Sequence, residues 1–260
     1  MLFSLILVGI AAGFLAGMFG IGGGAIVIPV LMYIYNNAGM DTTEAIRLAF
    51  GTSLATMAFT GLSSFLSQWH RGNVDIFWLK KLFVSAGIGA LAGSLLAARI
   101  PGVWLALGLS MMLAYFGLKL LVHRERTSSA SPLFIRFHAL AGVLSGVAYS
   151  LAGMGGASVV TFYLTNIGLP LRKAIGTASG VILPISLGAI IGFGVTAGSP
   201  HSWRWGYIDL YALLVMSICS IVASNLGVKT AAVIPTQVLR KIFGAFMMGL
   251  ALKTFFSSLT

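Results

Sequence analysis

Two runs of glycine interrupt the apolar sequence, at residues 20–24 (Gly-Ile-Gly-Gly-Gly) and at residues 153–156 (Gly-Met-Gly-Gly). One glycine destabilises a helix by about 1 kcal/mol, and a cluster costs several times as much. Both runs lie in long stretches without a charged side chain, where lipid cannot satisfy an opened backbone. Such breaks are expected only where they line a cavity or pack against protein. One break in each half of a membrane chain indicates a solute site of the kind found in transporters.

The composition is that of a membrane protein. The chain is 58% hydrophobic and 8% charged, with a mean hydropathy of +1.00. Its apolar stretches are long enough to cross a bilayer as helices, which predicts an all-α polytopic protein of the cell inner membrane. We expect the first span to be retained, because no basic region precedes it and no small-residue cleavage site leads into soluble sequence.

Charged and metal-binding residues exclude several classes of function. The net charge of +11 is expected at membrane edges, where Lys and Arg set the orientation, and no basic tract predicts nucleic-acid binding. The only cysteine, Cys219, excludes an intrachain disulfide and a cysteine metal site. The histidines make no ligand spacing, and residues 20–24 lack the strand and the acid of a dinucleotide loop. We therefore predict no metal and no cofactor.

Five short blocks of the first half recur in the same order in the second half, which indicates a duplication. The paired blocks are 12–17 with 141–146, 20–23 with 153–156, 47–52 with 172–177, 72–75 with 206–209, and Gly93 and Ile100-Pro101 with Gly227 and Ile234-Pro235. We predict two repeats, residues 1–122 and 133–260, joined by a linker at 123–132. They are expected to form one membrane domain of residues 1–260, because neither half alone could seal its broken segment.

Each repeat is predicted to be a glycine-broken helical hairpin followed by three transmembrane helices. An unbroken helix over the first uncharged stretch would be about 60 Å long, twice the hydrocarbon core of about 30 Å. A hairpin resolves the excess, with arms that are either full spans or re-entrant half-helices. The predicted segments are about 2–35, 44–70, 77–98 and 102–122, and then about 133–168, 172–197, 208–231 and 236–257.

The placement of the 16 Lys and Arg residues favours inverted-topology repeats. If each broken segment crossed once, the two sides of the membrane would carry 9 and 7 of these cations. If each is a hairpin, the halves are inverted and 12 cations share one side, leaving Arg47, Arg99, Arg204 and Lys253 on the other. The positive-inside bias therefore predicts that the linker, residues 123–136, is cytoplasmic and that both termini are outside.

Several motifs together carry a family resemblance. They are Gly13-x-x-x-Gly17 leading into residues 20–24 and Pro29, Phe-Gly-Thr-Ser at 50–53, Gly-Asn-Val-Asp at 72–75, and weaker copies in the second half. Over nearly its whole length the chain resembles the TauE/SafE family, described as sulfite or organosulfonate exporters. The resemblance implies a transporter of small, often sulfur-containing anions. Phe162 stands where the first repeat has Pro29, so the two hairpins are not chemically equivalent.

The two breaks are predicted to form one anion site. If the hairpins enter from opposite faces, their tips meet near the midplane, and helices begin there at about Gly24 and Ala157. A helix N-terminus presents unpaired amides and about half a positive charge, and glycine lets a ligand approach the backbone. The candidate substrate-binding residues are Gly20, Gly22, Gly23, Gly24, Thr52, Ser53, Gly153, Gly155, Gly156, Ala157 and Thr177. The hydroxyls among them either complete an anion's shell, coordinate a sodium ion, or bond to the carbonyl four residues earlier.

The glycines have an alternative role in close helix packing, which we favour for the Gly13-x-x-x-Gly17 and Gly142-x-x-x-Gly146 pairs. Two pairs of repeat mates are candidates for gating or coupling. Asp75 and Asp209 precede spans and act either as helix N-caps or as proton or gate residues. Arg47 and Arg172 either attract anions at the two mouths or anchor a helix end by snorkelling.

These predictions describe a secondary transporter that moves a small anion, such as sulfite or a sulfonate, across the bacterial inner membrane. An ion gradient, expected to be one of protons, would drive it, because no nucleotide-binding domain is present in this sequence. The alternatives are a membrane scaffold and a membrane-embedded enzyme, although no catalytic residue is predicted. The expected partners are the small anion and the lipid bilayer. The identity of the anion, the direction of transport and the oligomeric state, a homodimer included, are left open.

Overall fold

A computed structural model of the chain describes residues 2–19, 23–122, 137–153, 156–196, 203–231 and 236–259. These residues form ten helices and one short hairpin. The helices are α1 (Leu2–Phe19), α2 (Gly24–Asn37), α3 (Thr42–His70), α4 (Ile76–Ala97), α5 (Gly102–Val122), α6 (His138–Ala152), α7 (Gly156–Asn166), α8 (Leu171–Val195), α9 (Leu210–Ala231) and α10 (Thr236–Leu259). Strands β1 (Arg204–Trp205) and β2 (Ile208–Asp209) pair antiparallel. The predicted all-α fold is confirmed.

Five of these helices, α3, α4, α5, α8 and α9, are long and apolar enough to cross a membrane. Large apolar side chains such as Val84 and Met111 are exposed on their outer faces, which suits a surface that contacts lipid. The six unbroken spans predicted from the sequence begin and end within a few residues of α3, α4, α5, α8, α9 and α10. The chain is therefore an integral membrane protein.

Each predicted break separates two shorter helices, α1 from α2 and α6 from α7. Gly23, just before α2, packs against Ala12 in the middle of α1, so α2 begins part of the way back along its partner. The returning helices α2 and α7 contain 14 and 11 residues. At 1.5 Å per residue they are about 21 and 16 Å long, shorter than a hydrocarbon core of about 30 Å. Gly20, Gly22, Gly155 and the linker 123–136 lie outside the described residues.

Two aspartates that are mates in the repeats begin helices in the same way. Asp75 Oδ1 accepts hydrogen bonds from the amides of Phe77 (3.1 Å) and Trp78 (3.2 Å) at the start of α4. Asp209 Oδ1 accepts one from the amide of Ala212 (3.0 Å) at the start of α9. A side-chain acceptor here satisfies amides that have no partner within the helix. The N-cap interpretation is confirmed for both residues.

The helices of the two halves interleave through glycine contacts. α1 of the first half packs along α9 of the second, and α6 of the second half packs along α4 of the first. Gly13 and Gly17 face the backbone of Ser220 and Ser224, and a methyl group at either glycine would overlap a carbonyl oxygen. Gly142 and Gly146 are held in the same way by residues 85–90 of α4. The packing role predicted for these glycine pairs is confirmed.

Two pairs of helices that the sequence predicts to be repeat mates, α3 with α8 and α5 with α10, pack in opposite directions. Along α3, a Cβ on Gly51 would lie 3.3 Å from Phe193 Cβ, and one on Gly61 would lie 3.2 Å from Ile182 Cβ. From the N-terminus of α3 to its C-terminus, the contacted residues of α8 therefore lie progressively nearer the N-terminus of α8. α5 and α10 behave alike, because Gly117 faces Met248 and the later Leu121 faces the earlier Gly244. Both pairs of equivalent helices are thus antiparallel.

Candidate functional site

The two glycine breaks meet inside the protein. Gly24, the first residue of α2, lies against the carbonyl oxygen of Gly153, which ends α6. A methyl group at Gly24 would overlap that oxygen and the terminal methyl of Met57. Gly153 has a positive φ of 67°, which side-chain-bearing residues rarely adopt. A methyl group at Gly153 would overlap the side chains of Ile28 and Phe50. Both glycines are required here by the close approach of the two broken hairpins.

One face of α3 touches both breaks. Phe50 and Met57 contact Gly153 and Gly24 respectively, and Ser53 lies between them at helical spacing, so all three α3 residues share one face. The Ser53 side chain is 0% exposed, and its Oγ has no hydrogen-bond partner among the described residues. An unsatisfied buried hydroxyl is uncommon and calls for a partner. Ser53 therefore presents a free polar atom on the helix face that meets the breaks.

Residues on either side of the second break add further buried groups to the candidate site. Ser158, in the first turn of α7, also has a buried Oγ without a partner in the described part of the chain. The hydroxyl of Tyr149 donates to Met57 Sδ, and Tyr149 is fully buried. Ala157 is buried at the start of α7. Sequence reasoning missed Tyr149 and Met57. Tyr149 could have been found from the sequence, because it lies in an uncharged span just ahead of a glycine break. A buried tyrosine hydroxyl at such a place needs a hydrogen-bond partner.

Two of the predicted hydroxyls bind the other repeat instead of facing the breaks. Thr52 Oγ1 accepts a hydrogen bond of 2.9 Å from the amide of Asp209. Its mate Thr177 Oγ1 accepts one of 2.9 Å from the amide of Asp75, and itself donates to the carbonyl of Lys173 at 2.7 Å. In this conformation both hydroxyls have protein partners. The sequence placed them with Ser53, whereas the structure brings each to an aspartate of the opposite half.

The glycine before each threonine makes this docking close. Gly51 lies against the carbonyl of Tyr207, and Gly176 lies against the carbonyl of Asn73. A methyl group at either glycine would overlap the carbonyl oxygen it faces. In each repeat, the Gly-Thr pair therefore packs against the turn that precedes the aspartate of the other repeat. The same contact is built twice from different residues.

Asp209 differs from its mate in its surroundings. It is only 9% exposed, and its Oδ2 accepts a hydrogen bond of 3.0 Å from the hydroxyl of Tyr35 near the end of α2. The carboxylate of Asp75 is partly exposed and, among the described residues, bonds only to the two amides that it caps. Asp209 thus joins α2, α9 and, through its amide, α3. The sequence singled out Asp209 but missed Tyr35.

The two predicted arginine mates are also unequal. Arg47 Nη1 donates to the Tyr207 hydroxyl (3.2 Å) and Nη2 donates to the carbonyl of Ile100 (3.1 Å), while its buried Nε has no partner among the described residues. Arg172 is exposed at the start of α8. Arg204, which the sequence did not single out, pairs with Glu44 at 2.9 Å. Arg47 therefore tethers the loop before α5 to the turn before β2.

The described helices define the class of protein, an integral membrane protein with several helices long enough to span the bilayer. The family model described as "Sulfite exporter TauE/SafE" matches residues 5–254. The chain therefore belongs to the TauE/SafE family. No group of three His, Cys, Asp or Glu that could hold a metal is found within the described ranges.

Proteins of distant organisms are similar to this chain over nearly their whole length. A probable membrane transporter protein of Haemophilus influenzae is 30% identical, over 96% of each chain. One of Methanocaldococcus jannaschii is 28% identical, over 95% of this chain and 93% of its own. YdhB of Bacillus subtilis, also a probable membrane transporter protein, is 28% identical, over 91% and 93%. No solved structure matches the chain significantly.

Proposed function

We propose that this protein is a secondary transporter that carries a small anion, of the sulfite or sulfonate class, across the bacterial inner membrane. The meeting of Gly24 with Gly153 is the observation that carries the proposal. It places the start of α2 against the residue that ends α6, three positions before α7 begins. The first turns of α2 and α7 present unpaired amides and partial positive charge. An oxyanion held there needs no buried lysine or arginine.

Ser53 supplies what backbone amides alone cannot. Its buried Oγ has no partner among the described residues and lies on the α3 face that contacts both breaks. A hydroxyl at this position donates to an anion held by the helix starts and loses no existing bond in doing so. Ser158 offers the same chemistry from the opposite hairpin. Thr52 and Thr177 do not contact the anion in this proposal. They hold the two halves together around the site through their bonds to the amides of Asp209 and Asp75.

An inverted arrangement of the repeats fits the transport role. Support comes from the antiparallel course of α3 and α8 and of α5 and α10, together with the division of the cations into 12 and 4. In this proposal the linker 123–136 is cytoplasmic, both termini are outside, and residues 1–260 form one transport domain. Inverted repeats with central broken helices can expose one site alternately to the two sides.

Protons are proposed as the coupling ion, with Asp209 as the carrier. Its carboxylate is buried and bonds to Tyr35 on α2, the helix that begins at Gly24. A change of charge at Asp209 therefore acts on the same helix whose first turn would hold the anion. The partly exposed mate Asp75 lacks this connection among the described residues. Arg47, tied to the turn before β2, lies next to the same assembly and would draw anions towards it.

Counterflow in liposomes tests the proposal. Purified protein is reconstituted with a high internal concentration of sulfite, and entry of external labelled anions is followed without a nucleotide. We expect uptake of sulfite, with competition by sulfonates and none by cations of similar size. A proton gradient should change net movement without being needed for exchange. Liposomes that show no uptake of any small oxyanion, from protein that is folded and monodisperse, would contradict the proposal and favour the scaffold alternative.

A further inference from the structure

A small crevice between α2 and α10 carries polar groups that the glycine breaks do not use. It has a volume of about 50 Å³ and is lined by Pro29, Met32, Tyr33, Asn36, Lys253 and Thr254. A single buried water needs roughly 10–15 Å³ on this kind of measure, so a group of several atoms fits. Asn36 is twelve residues after Gly24, which is about 18 Å along a helix. Pro29, at the near end of the crevice, is five residues after Gly24, or about 8 Å. The polar end at Asn36 is therefore the part that lies apart from the meeting point of the breaks.

Two of its polar atoms have no hydrogen-bond partner within the described part of the chain. Thr254 is 3% exposed, and its Oγ1 has no hydrogen-bond partner among the described residues. The buried Oδ1 of Asn36 is also without one. Lys253 places its Nζ 4.9 Å from the centre of the Tyr33 ring at the rim. Buried polar atoms are normally satisfied, so two orphans beside a cation indicate a ligand.

The other repeat has an equivalent lysine, but no threonine follows it. Lys119 is the mate of Lys253, and its Nζ lies 4.3 Å from the centre of the Phe162 ring on α7. A lysine over an aromatic ring of the opposite hairpin is thus common to both repeats. The residue after Lys119 is Leu120, whereas the residue after Lys253 is Thr254. The ring contact alone does not explain the polar groups at Lys253.

We propose that this crevice binds a small oxyanion that carries its own hydrogen-bond donor. Lys253 neutralises the anionic oxygens, Thr254 donates to one of them, and Asn36 Oδ1 accepts from the ligand. Two sources present this chemistry, a free ion such as hydrogen sulfite and the phosphate and ammonium of a phosphatidylethanolamine headgroup. In the proposed topology Lys253 is one of four cations on the outer side, so the crevice opens where anions leave or enter the protein.

Thermal unfolding in detergent tests the proposal and distinguishes the two sources. Wild-type protein, Lys253→Met, Thr254→Val and the matched control Lys119→Met are each heated alone, with hydrogen sulfite at mildly acidic pH, and with added phosphatidylethanolamine or phosphatidylcholine. The choline headgroup has no N–H donor and serves as the negative arm. A ligand of the folded state raises the apparent melting temperature by mass action.

We expect hydrogen sulfite or phosphatidylethanolamine to raise the melting temperature of wild type and Lys119→Met. The increase in melting temperature that is caused by binding in the crevice is lost in Lys253→Met and Thr254→Val. Any increase that these variants keep is caused by binding at the glycine breaks. The arm that shows the loss identifies the source. Equal shifts in all four proteins, equal loss in Lys119→Met, or no shift with either source would overturn the proposal. A phosphatidylcholine shift as large as that of phosphatidylethanolamine would overturn it too, when hydrogen sulfite gives no shift that depends on Lys253 and Thr254. Failure of anion counterflow would overturn the transport proposal without touching this one.

Discussion

The backbone amide of Asp209 donates a 2.9 Å hydrogen bond to the hydroxyl of Thr52, which lies 157 positions earlier in the chain. The mates of these residues repeat the bond with roles exchanged, from the amide of Asp75 to Thr177 Oγ1 at 2.9 Å. Each half therefore satisfies a backbone donor of the other. A movement of one half against the other that opens either contact therefore leaves a backbone donor without its acceptor.

Replacing Thr52 by valine should destabilise the protein. The variant keeps the shape of the side chain but leaves the buried amide of Asp209 without its acceptor, at a cost of about 1–3 kcal/mol. Thr52→Ser keeps the acceptor and should melt close to wild type. The measurement is the apparent melting temperature of purified protein in detergent.

The matched change Thr177→Val should have a smaller effect, because the amide of Asp75 is only partly buried. This ordering separates a cross-half bond from a general loss of hydroxyls in apolar helices. A Thr52→Val protein that melts at the wild-type temperature would show that the bond to Asp209 contributes nothing to stability.

Asp209→Asn should uncouple transport from the proton gradient. Asparagine keeps an acceptor for the amide of Ala212 but holds no titratable charge beside Tyr35. We expect anion exchange between equal concentrations to continue while gradient-driven accumulation in proteoliposomes falls to the level of protein-free controls. Asp75→Asn should retain accumulation, because its carboxylate is partly exposed and caps a helix only. Wild-type accumulation by Asp209→Asn would exclude this residue as the carrier.

The proposed topology can be read with single cysteines in a Cys219→Ser background. Arg71 follows α3 and Trp203 precedes β1, and both side chains are exposed. A membrane-impermeant maleimide should label Trp203→Cys in intact cells and Arg71→Cys only after the membrane is permeabilised. Labelling of both positions from the same side would rule out inverted repeats with an outside C-terminus.

Much of the fold was predictable because its signals are local. An apolar stretch of fixed length predicts a span, and an aspartate ahead of a span predicts an N-cap, so the bounds of α3 to α5 and the caps at Asp75 and Asp209 agree with expectation. The glycine breaks were equally visible, because no apolar helix tolerates such a cluster without a reason. The placement of Gly24 against Gly153 follows from the duplication that pairs the two breaks.

The partners of individual polar atoms were not predictable from local patterns. The hydroxyl of Thr52 could bond within its helix, to a ligand or to another segment, and only the docking of the two halves decides for Asp209. Tyr35 and Asp209 are 174 positions apart, and no spacing rule connects them. Arg47 and Arg172 occupy equivalent places in the sequence, yet among the described residues only Arg47 has a tyrosine and a carbonyl within reach. The tyrosine comes from the other half, so the docking of the halves contributes to the difference between these mates.

The most direct test of the central claim compares two glycines. A methyl group at Gly24 would overlap the Gly153 carbonyl and Met57, whereas one at Gly249 in α10 has no atom within 4 Å. Sulfite counterflow is measured in liposomes for Gly24→Ala and Gly249→Ala, each normalised to folded protein. Displacing a binding group by about 1 Å can cost 100-fold in rate, so we predict at least about a tenfold loss for Gly24→Ala and none for Gly249→Ala. A wild-type rate in folded Gly24→Ala would contradict an anion site at the meeting of the two breaks.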